Sequence, residues 1–166
     1  MDQFKMDNGI VDVRVDDRMI HGVVATEWIP SERATRAMVI NEDASKSDML
    51  RSTLKMATPG GTALSVLAPS DAVENFKINK YSQQRVFVVA RHISDIYDLF
   101  KGGVEFKRVN LGNVTQNMDS NLLVLDKTVR VTERERLMLK EIQDSGVQIT
   151  CQFRTSDAIK DCKNLL

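Results

Sequence analysis

Short apolar runs alternate along the whole chain with amphipathic stretches of helical length. Ile10 to Val15, Arg36 to Asn41, Ala63 to Ala68, Arg85 to Ala90 and Lys107 to Leu111 are five runs rich in β-branched residues. Their nearly continuous apolar character is what a strand covered on both faces needs. Val147 to Phe153 supplies a closing strand. Between these runs, Gly22 to Ile29 reads as a short helix. Ser45 to Met56 reads as a longer one, with Met49, Leu50, Leu54 and Met56 near helical spacing and Ser45-x-x-Asp48 as a capping box. Thr58-Pro59-Gly60-Gly61 stops that helix, since glycine suits the C-cap and proline cannot continue the turn. Asp71 to Phe76 and Ile93 to Phe100 follow the next two strands. The clearest helix opens with the capping box Thr132-Glu133-Arg134-Glu135, carries Leu137, Leu139 and Ile142 as its apolar side, and ends at Gly146. Ser156 to Leu166 reads as a small terminal helix. Leu122 to Leu125 and Thr128 to Val131 read as a hairpin around Asp126-Lys127, preceded by a polar loop.

Strands alternating with helices imply βαβ crossovers. The expected fold is α/β: an open, mainly parallel twisted sheet of about seven strands with helices on both faces. With no repeat or linker in view, residues 10–166 make one domain and residues 1–9 an extra N-terminal segment. Composition narrows the function. A chain of 166 residues, 42% hydrophobic and 28% charged, can bury a real core. Its 23 basic side chains are balanced by 23 acidic ones, which argues against nucleic acid as a partner, because phosphate neutralisation needs a basic stripe. No apolar stretch approaches the roughly 20 residues of a membrane span, and MDQFKMDNG lacks the apolar core of a signal peptide. Cys151 and Cys162 are too few for a disulfide framework and too far apart for a C-x-x-C knuckle. A reduced, cytoplasmic protein is the expectation.

In a parallel sheet, ligands bind beyond the carboxyl ends of the strands. Thr58 to Gly61 follows a helix and precedes a strand, so it lies at the opposite edge and reads as a helix stop. The loops at the productive edge contain no G-x-G-x-x-G and no P-loop, no serine elbow and no H-E-x-x-H. Both histidines fall there. The loop Asp16-Asp17-Arg18-Met19-Ile20-His21-Gly22 places an imidazole between a strand end and a helix start, where the N–H groups of Gly22, Val23 and Val24 favour an anion. Arg18 adds a cationic fork suited to phosphate. Asp16 or Asp17 could accept a hydrogen bond from one ring nitrogen and leave the other nucleophilic. These parts suit a phosphohistidine formed without a metal or cofactor, the protein supplying the positive charge. Read alone they also suit a helix cap and a solvated turn.

The residues 15–28, continuing through Val23-Val24-Ala25-Thr26-Glu27-Trp28, resemble the D-D-R-L-I-H-G-Q-V-A-x-x-W signature of the IIB component of the mannose/fructose/sorbose class of the bacterial sugar phosphotransferase system. The likeness runs from about Ile10 to the C-terminus. It includes Lys55-Met56-Ala57, Arg85-Val86-Phe87 and Asn110-Leu111-Gly112-Asn113. The resemblance implies a phosphoryl carrier that accepts phosphate at Nδ1 of His21 from a phosphohistidine on a IIA partner. It then passes the group to a sugar during uptake through the membrane components IIC and IID, so the protein associates with the inner membrane face through its partners. The resemblance puts the phosphate-neutralising arginine on Arg18 and an orienting acid on Asp17. It makes Asn113 a wall of the same pocket, and it is compatible with a homodimer. Val23 stands where the family commonly has glutamine, and Met19 where it has leucine. In-line transfer between two histidines requires the donor to cover this loop, so Ile20 and Val23 are expected in an apolar ring around His21. His92 matches no motif and reads as a helix start, and Trp28 as packing for the first helix. Two other classes remain in view: a diverged IIB-like regulatory module that docks IIA without phosphorylating sugar, and a flavodoxin-like nucleotide or flavin binder, which the absent glycine motifs disfavour.

Overall fold

The computed structural model describes residues 5–166, and residues 1–4 of the N-terminal segment lie outside the described residues. Nine strands appear among them: β1 (Ile10–Asp16), β2 (Arg36–Ile40), β3 (Ala63–Leu67), β4 (Val86–Ala90), β5 (Arg108–Asn113), β6 (Leu123–Asp126), β7 (Val129–Val131), β8 (Gln148–Cys151) and β9 (Lys160–Asp161). Seven of them form one sheet in the order β3-β2-β4-β1-β5-β8-β9, parallel throughout except for the β8–β9 pair. This is the mainly parallel seven-stranded α/β sheet expected from the alternating pattern. β6 and β7 form the expected hairpin, docked on the end of β5 through backbone bonds from Val114 to Thr128 and Arg130.

The helices are α1 (residues 22–31, wound as a π-helix over Val24–Trp28), α2 (Glu42–Lys46), α3 (Asp48–Ala57), α4 (Pro69–Lys77), α5 (Ile93–Lys101) and α6 (Glu133–Asp144). The period-two alternation of the strands sorts their side chains into two cores. Val13 and Val15, Met38 and Ile40, and Val88 and Ala90 pack with Ala72, Ile96, Leu99, Leu139 and Ile142 of α4, α5 and α6. Ala37, Val39, Phe87 and Val89 pack with Val24, Trp28, Ala44 and Leu54 of α1, α2 and α3.

Four expectations are corrected. The single helix from Ser45 is two helices: the Asn41 side chain accepts from Ala44 N and starts α2, then extended Ser47 breaks the run and its Oγ accepts from Leu50 N to start α3. Ser45 instead donates its hydroxyl to Glu42 O. In α6 the Thr132–Glu135 box forms as expected, but Leu137 is exposed while Leu139 and Ile142 face the core. Residues 156–166 form no helix. The open edge of β8 recruits Lys160 and Asp161 as β9, and the segment has no apolar stripe to hold a helix down, Ile159 being exposed.

Candidate functional site

Where the chain must cross the sheet centre, β1 lies between β4 and β5, so the loops after these three strands converge at one edge. The β1 side chains alternate even though the strand is wholly buried. Val13 and Val15 enter one core, while Asp12, Arg14 and Asp16 face the other. The same polar row continues across Asn110 and Gly112 of β5 and across Thr150 and Gln152. Asn110 Nδ2 donates to Gln152 O and its Oδ1 accepts from Thr150. A polar layer is thus buried beneath α1, its members bonded to one another.

Arg14 is the centre of that layer. Its guanidinium is fully buried, donates from Nε and reaches with Nη2 to Asp16 Oδ2 at 3.2 and 3.1 Å, and donates from Nη1 to Gln152 O at 3.1 Å. Cζ lies 5.1 Å from the Trp28 ring centroid and 5.8 Å from that of Phe153. Burial pulls the Arg14 guanidinium down from its ordinary value, against the lift from Asp16. Trp28 is fixed in turn by its Nε1–H donating to Phe153 O at 2.9 Å, so it packs as expected and also roofs the ion pair. Gly112 makes room for all this: a Cβ there would stand 2.0 Å from Arg14 Cζ. Because Arg14 is held on three sides it cannot step aside, and Gly112→Ala is expected to cost about 1–3 kcal/mol by overpacking, read as a lower urea midpoint with an unchanged slope.

Asp16 carries the chain into the site. Oδ1 accepts from Arg18 N at 3.0 Å and its carbonyl accepts from Met19 N at 2.9 Å, closing a tight turn in which Met19 takes a left-handed φ of 61°. A left-handed buried methionine is a strained conformation held by its surroundings. Asp16 Oδ2, already bonded to Arg14, also meets His21 Nε2 at 2.9 Å. A carboxylate accepts, so Nε2 carries the proton and Nδ1 carries the lone pair. The His21 side chain is 18% exposed, at the mouth of the loop. Of the two acids left open by the residues, the ring partner is Asp16.

Asp17 does not touch the ring, which corrects its expected orienting role. Its carboxylate points to β5 and the following loop. Oδ1 accepts from Asn113 Nδ2 at 2.6 Å, and Oδ2 accepts from the N–H groups of Thr115 and Gln116 at 2.7 and 3.1 Å. Asn113 likewise bonds Asp17 rather than His21, and its carbonyl accepts from Asp17 N at 2.9 Å. The pair clamps the first loop to the loop after β5. The physical reason is the turn itself: consecutive residues leaving a strand send their side chains to opposite sides.

Arg18 is exposed, with Cζ 5.9 Å from the Phe153 ring centroid. Gly22 and Val23 open α1, and the first-turn N–H groups have no acceptor within the helix behind them. Val23 is half-buried, but Ile20 is buried with Met19, Val24 and Trp28 and so belongs to the core rather than to an apolar ring. His92 stands at the N-cap of α5, its N–H donating to Asp95 Oδ2 at 3.0 Å. Thr58 ends α3 at the opposite edge, beside a groove of about 800 Å³ lined by Arg51, Lys55, Gly60 and Leu64 that no site residue enters. Among the described residues no group of three or more His, Cys, Asp or Glu side chains is placed to hold a metal ion, and no helix is long and apolar enough to cross a membrane. Sequence reasoning overlooked Arg14 and the Gln152–Phe153 segment. The signal was there in IVDVRVD, RVNLGN and QITCQ, where Asp12, Arg14 and Asp16, then Arg108 and Asn110, then Gln148, Thr150 and Gln152 take every second place.

Known proteins share this sequence pattern and this fold. The family model described as "PTS system sorbose subfamily IIB component" matches residues 10–166. The PTS system fructose-specific EIIB component of Bacillus subtilis (strain 168) is 29% identical over 157 residues, 95% of each chain. The PTS system mannose-specific EIIAB component of Escherichia coli (strain K12) is 24% identical over 144 residues, 87% of this chain and 44% of that one. The crystal structure of the IIBSor domain of the sorbose permease from Klebsiella pneumoniae superposes with a TM-score of 0.85 at 25% identity, covering 93% of this chain and 94% of that chain.

Proposed function

The chain belongs to the sorbose-subfamily IIB components of the sugar phosphotransferase system, and from that premise we propose that His21 is its phosphoryl carrier. The observation that carries the proposal is the 2.9 Å contact of His21 Nε2 with the buried Asp16 carboxylate, at the mouth of the loop. A ring held by Nε2–H has one available nucleophile, the Nδ1 lone pair.

In the forward step, Nδ1 attacks phosphorus on the phosphohistidine of a IIA partner. The new N–P bond forms as the donor's N–P bond breaks, and the donor imidazole leaves with its electron pair. The His21 ring gains positive charge as Nδ1 binds phosphorus, and Asp16 faces that charge through Nε2–H. Arg14 holds Asp16 in place through Nε and Nη2, as a positioning residue. Arg18 and the first-turn N–H groups of α1 receive the oxygens of the transferred group. The second step reverses these roles. A sugar hydroxyl oxygen, presented by membrane components of the IIC and IID type, forms the O–P bond and gives up its proton to solvent water. The His21 N–P bond breaks and the ring returns to its Nε2–H tautomer. The mannose EIIAB relative, whose name joins IIA and IIB, supports a IIA-type donor. Association with the membrane then runs through the sugar-binding partners.

The proposal is tested by incubating the chain with a phosphorylated IIA protein, then adding membranes that hold the cognate IIC and IID. Acid-labile phosphate mapping to residues 16–24, followed by sugar phosphate formation, is the expected result. Labelling without sugar phosphate under any supplied IIC and IID would leave a regulatory docking module in its place. Arg18→Ala is expected to slow phosphoryl acceptance by about 10²-fold, the usual cost of one donor to a developing oxyanion. Arg18→Lys recovers part of the loss, because a point charge replaces the fork without its two-pronged geometry. Single-turnover labelling rates measure both.

A further inference from the structure

The two cysteines of the chain meet at the far edge of the sheet. Cys151 ends β8, and Cys162 follows β9. The ribbon pairs Thr150 with Asp161 and Cys151 with Lys160, and Cys162 N donates to Ile149 O at 2.9 Å. Both side chains enter the same core, where both are fully buried and reduced, and their sulfurs are 3.2 Å apart. A disulfide spans about 2.05 Å between sulfurs, so closure requires an approach on the order of 1 Å. β9 can yield that much: it is two exposed residues long, at the outer edge of the sheet.

The surroundings distinguish the two sulfurs. The hydrogen bond between the two thiols draws the Cys162 thiol below its ordinary range, and Lys160 adds to that while burial, Asp161 and Asp126 oppose it. The same hydrogen bond, with burial, pushes the Cys151 thiol up. Cys162 is the attacking thiol because it sits on the edge segment that opens, while Cys151 stays in β8 as the resolving partner.

We propose that Cys151 and Cys162 form a thiol modification site that closes to an intramolecular disulfide on reaction with a small disulfide of the glutathione class. The Cys162 thiolate attacks one sulfur of the oxidant, forming a mixed disulfide and expelling one thiolate. Cys151 gives up its proton and attacks the Cys162 sulfur, forming the Cys151–Cys162 bond and expelling the second thiolate. The two protons of the protein thiols end on the two released thiols, so the protein loses two electrons and the oxidant gains them. Access comes from local opening of the segment after residue 159, which is held at the sheet edge by the short β8–β9 ladder with Cys162 N to Ile149 O, by Lys160 Nζ to Leu125 O, and by the exposed bonds Gln148 Nε2 to Asp161 Oδ2 and Gln143 Nε2 to Lys163 O. The site adjoins Gln152, whose carbonyl holds Arg14.

The test exposes the full folded chain to glutathione disulfide, quenches with acid, and reads intact mass and tryptic peptides without reduction. Cleavage after Arg154 and Lys160 puts the two cysteines on separate peptides. Loss of two hydrogens, with those peptides joined and separated again by dithiothreitol, is the expected result. A Cys151→Ser chain should hold one glutathione on Cys162, and a Cys162→Ser chain should react more than about tenfold more slowly. Should either variant fail to fold, the wild-type time course serves, with a transient adduct on Cys162 preceding closure. The proposal is overturned if the folded chain keeps both thiols under oxidant that closes the urea-unfolded chain. A lasting glutathione adduct, a link between two chains, or a first adduct on Cys151 would overturn it equally.

Discussion

His21→Ala abolishes phosphoryl acceptance from a phosphorylated IIA protein, while His92→Ala leaves the rate within about twofold of wild type. The first half follows from the removal of the only imidazole joined to the Asp16–Arg14 pair. Without it no covalent intermediate forms, so the loss is complete rather than a reduction. The second half follows from the position of His92 at the start of α5, bonded through its backbone to Asp95. Fold disturbance is small in both cases, because His21 is partly exposed and supports no core contact that alanine would empty. Radiolabelled phosphate on the intact chain reads both variants. Label retained by the His21→Ala chain would relocate the carrier.

Asp16→Ala lowers stability by about 3–5 kcal/mol, because it leaves the Arg14 guanidinium buried with its charge uncompensated. Few single changes outside the core should cost as much. Replacing both partners, as Arg14→Met with Asp16→Leu, should recover most of that loss, since a buried ion pair contributes little beyond an apolar pair of similar volume. Urea unfolding at neutral pH measures both. The double variant is the informative one. If it folds well and accepts no phosphate, the charge pair serves the site rather than the stability of the sheet. A double variant as unstable as Asp16→Ala alone would mean that the Gln152 carbonyl and the Trp28 ring, not Asp16, are what Arg14 cannot do without.

How far the fold was legible depended on which physical signal each element leaves. Buried parallel strands leave short β-branched runs, nearly unbroken in β2 and β4 and interrupted by polar residues in β1 and β5, and β1 to β5 appear where those runs fall. Thr132 and Glu135 mark the start of α6 because a capping box is a local device read in four residues. Ser47, not Ser45, caps α3, because Asn41 starts a separate helix upstream that takes Ser45 into its own run. β9 left no mark at all: what makes Lys160 and Asp161 a strand is the vacant edge of β8, a tertiary fact.

The site followed the same division. His21, Arg18 and their place at the carboxyl edge were readable from loop order and residue type. Which aspartate reaches the ring was not, because it depends on the strand end sending Asp17 toward Asn113 and on the left-handed turn at Met19 bringing His21 back over Asp16. Arg14 was missed for a different reason. A charged residue in a central strand looks like noise until its neighbours on β5 and just after β8 are seen to supply Gly112 for space and Gln152 for a hydrogen bond.

The nitrogen that bears phosphate tests the central claim most directly. With the chain labelled in its imidazoles and phosphorylated by a IIA donor, proton–nitrogen correlation spectra distinguish the two ring positions of each histidine. Phosphorus on Nδ1 of His21, with Nε2 still protonated against Asp16, is the expected spectrum. Phosphorus on Nε2 of His21, or on His92, would contradict it.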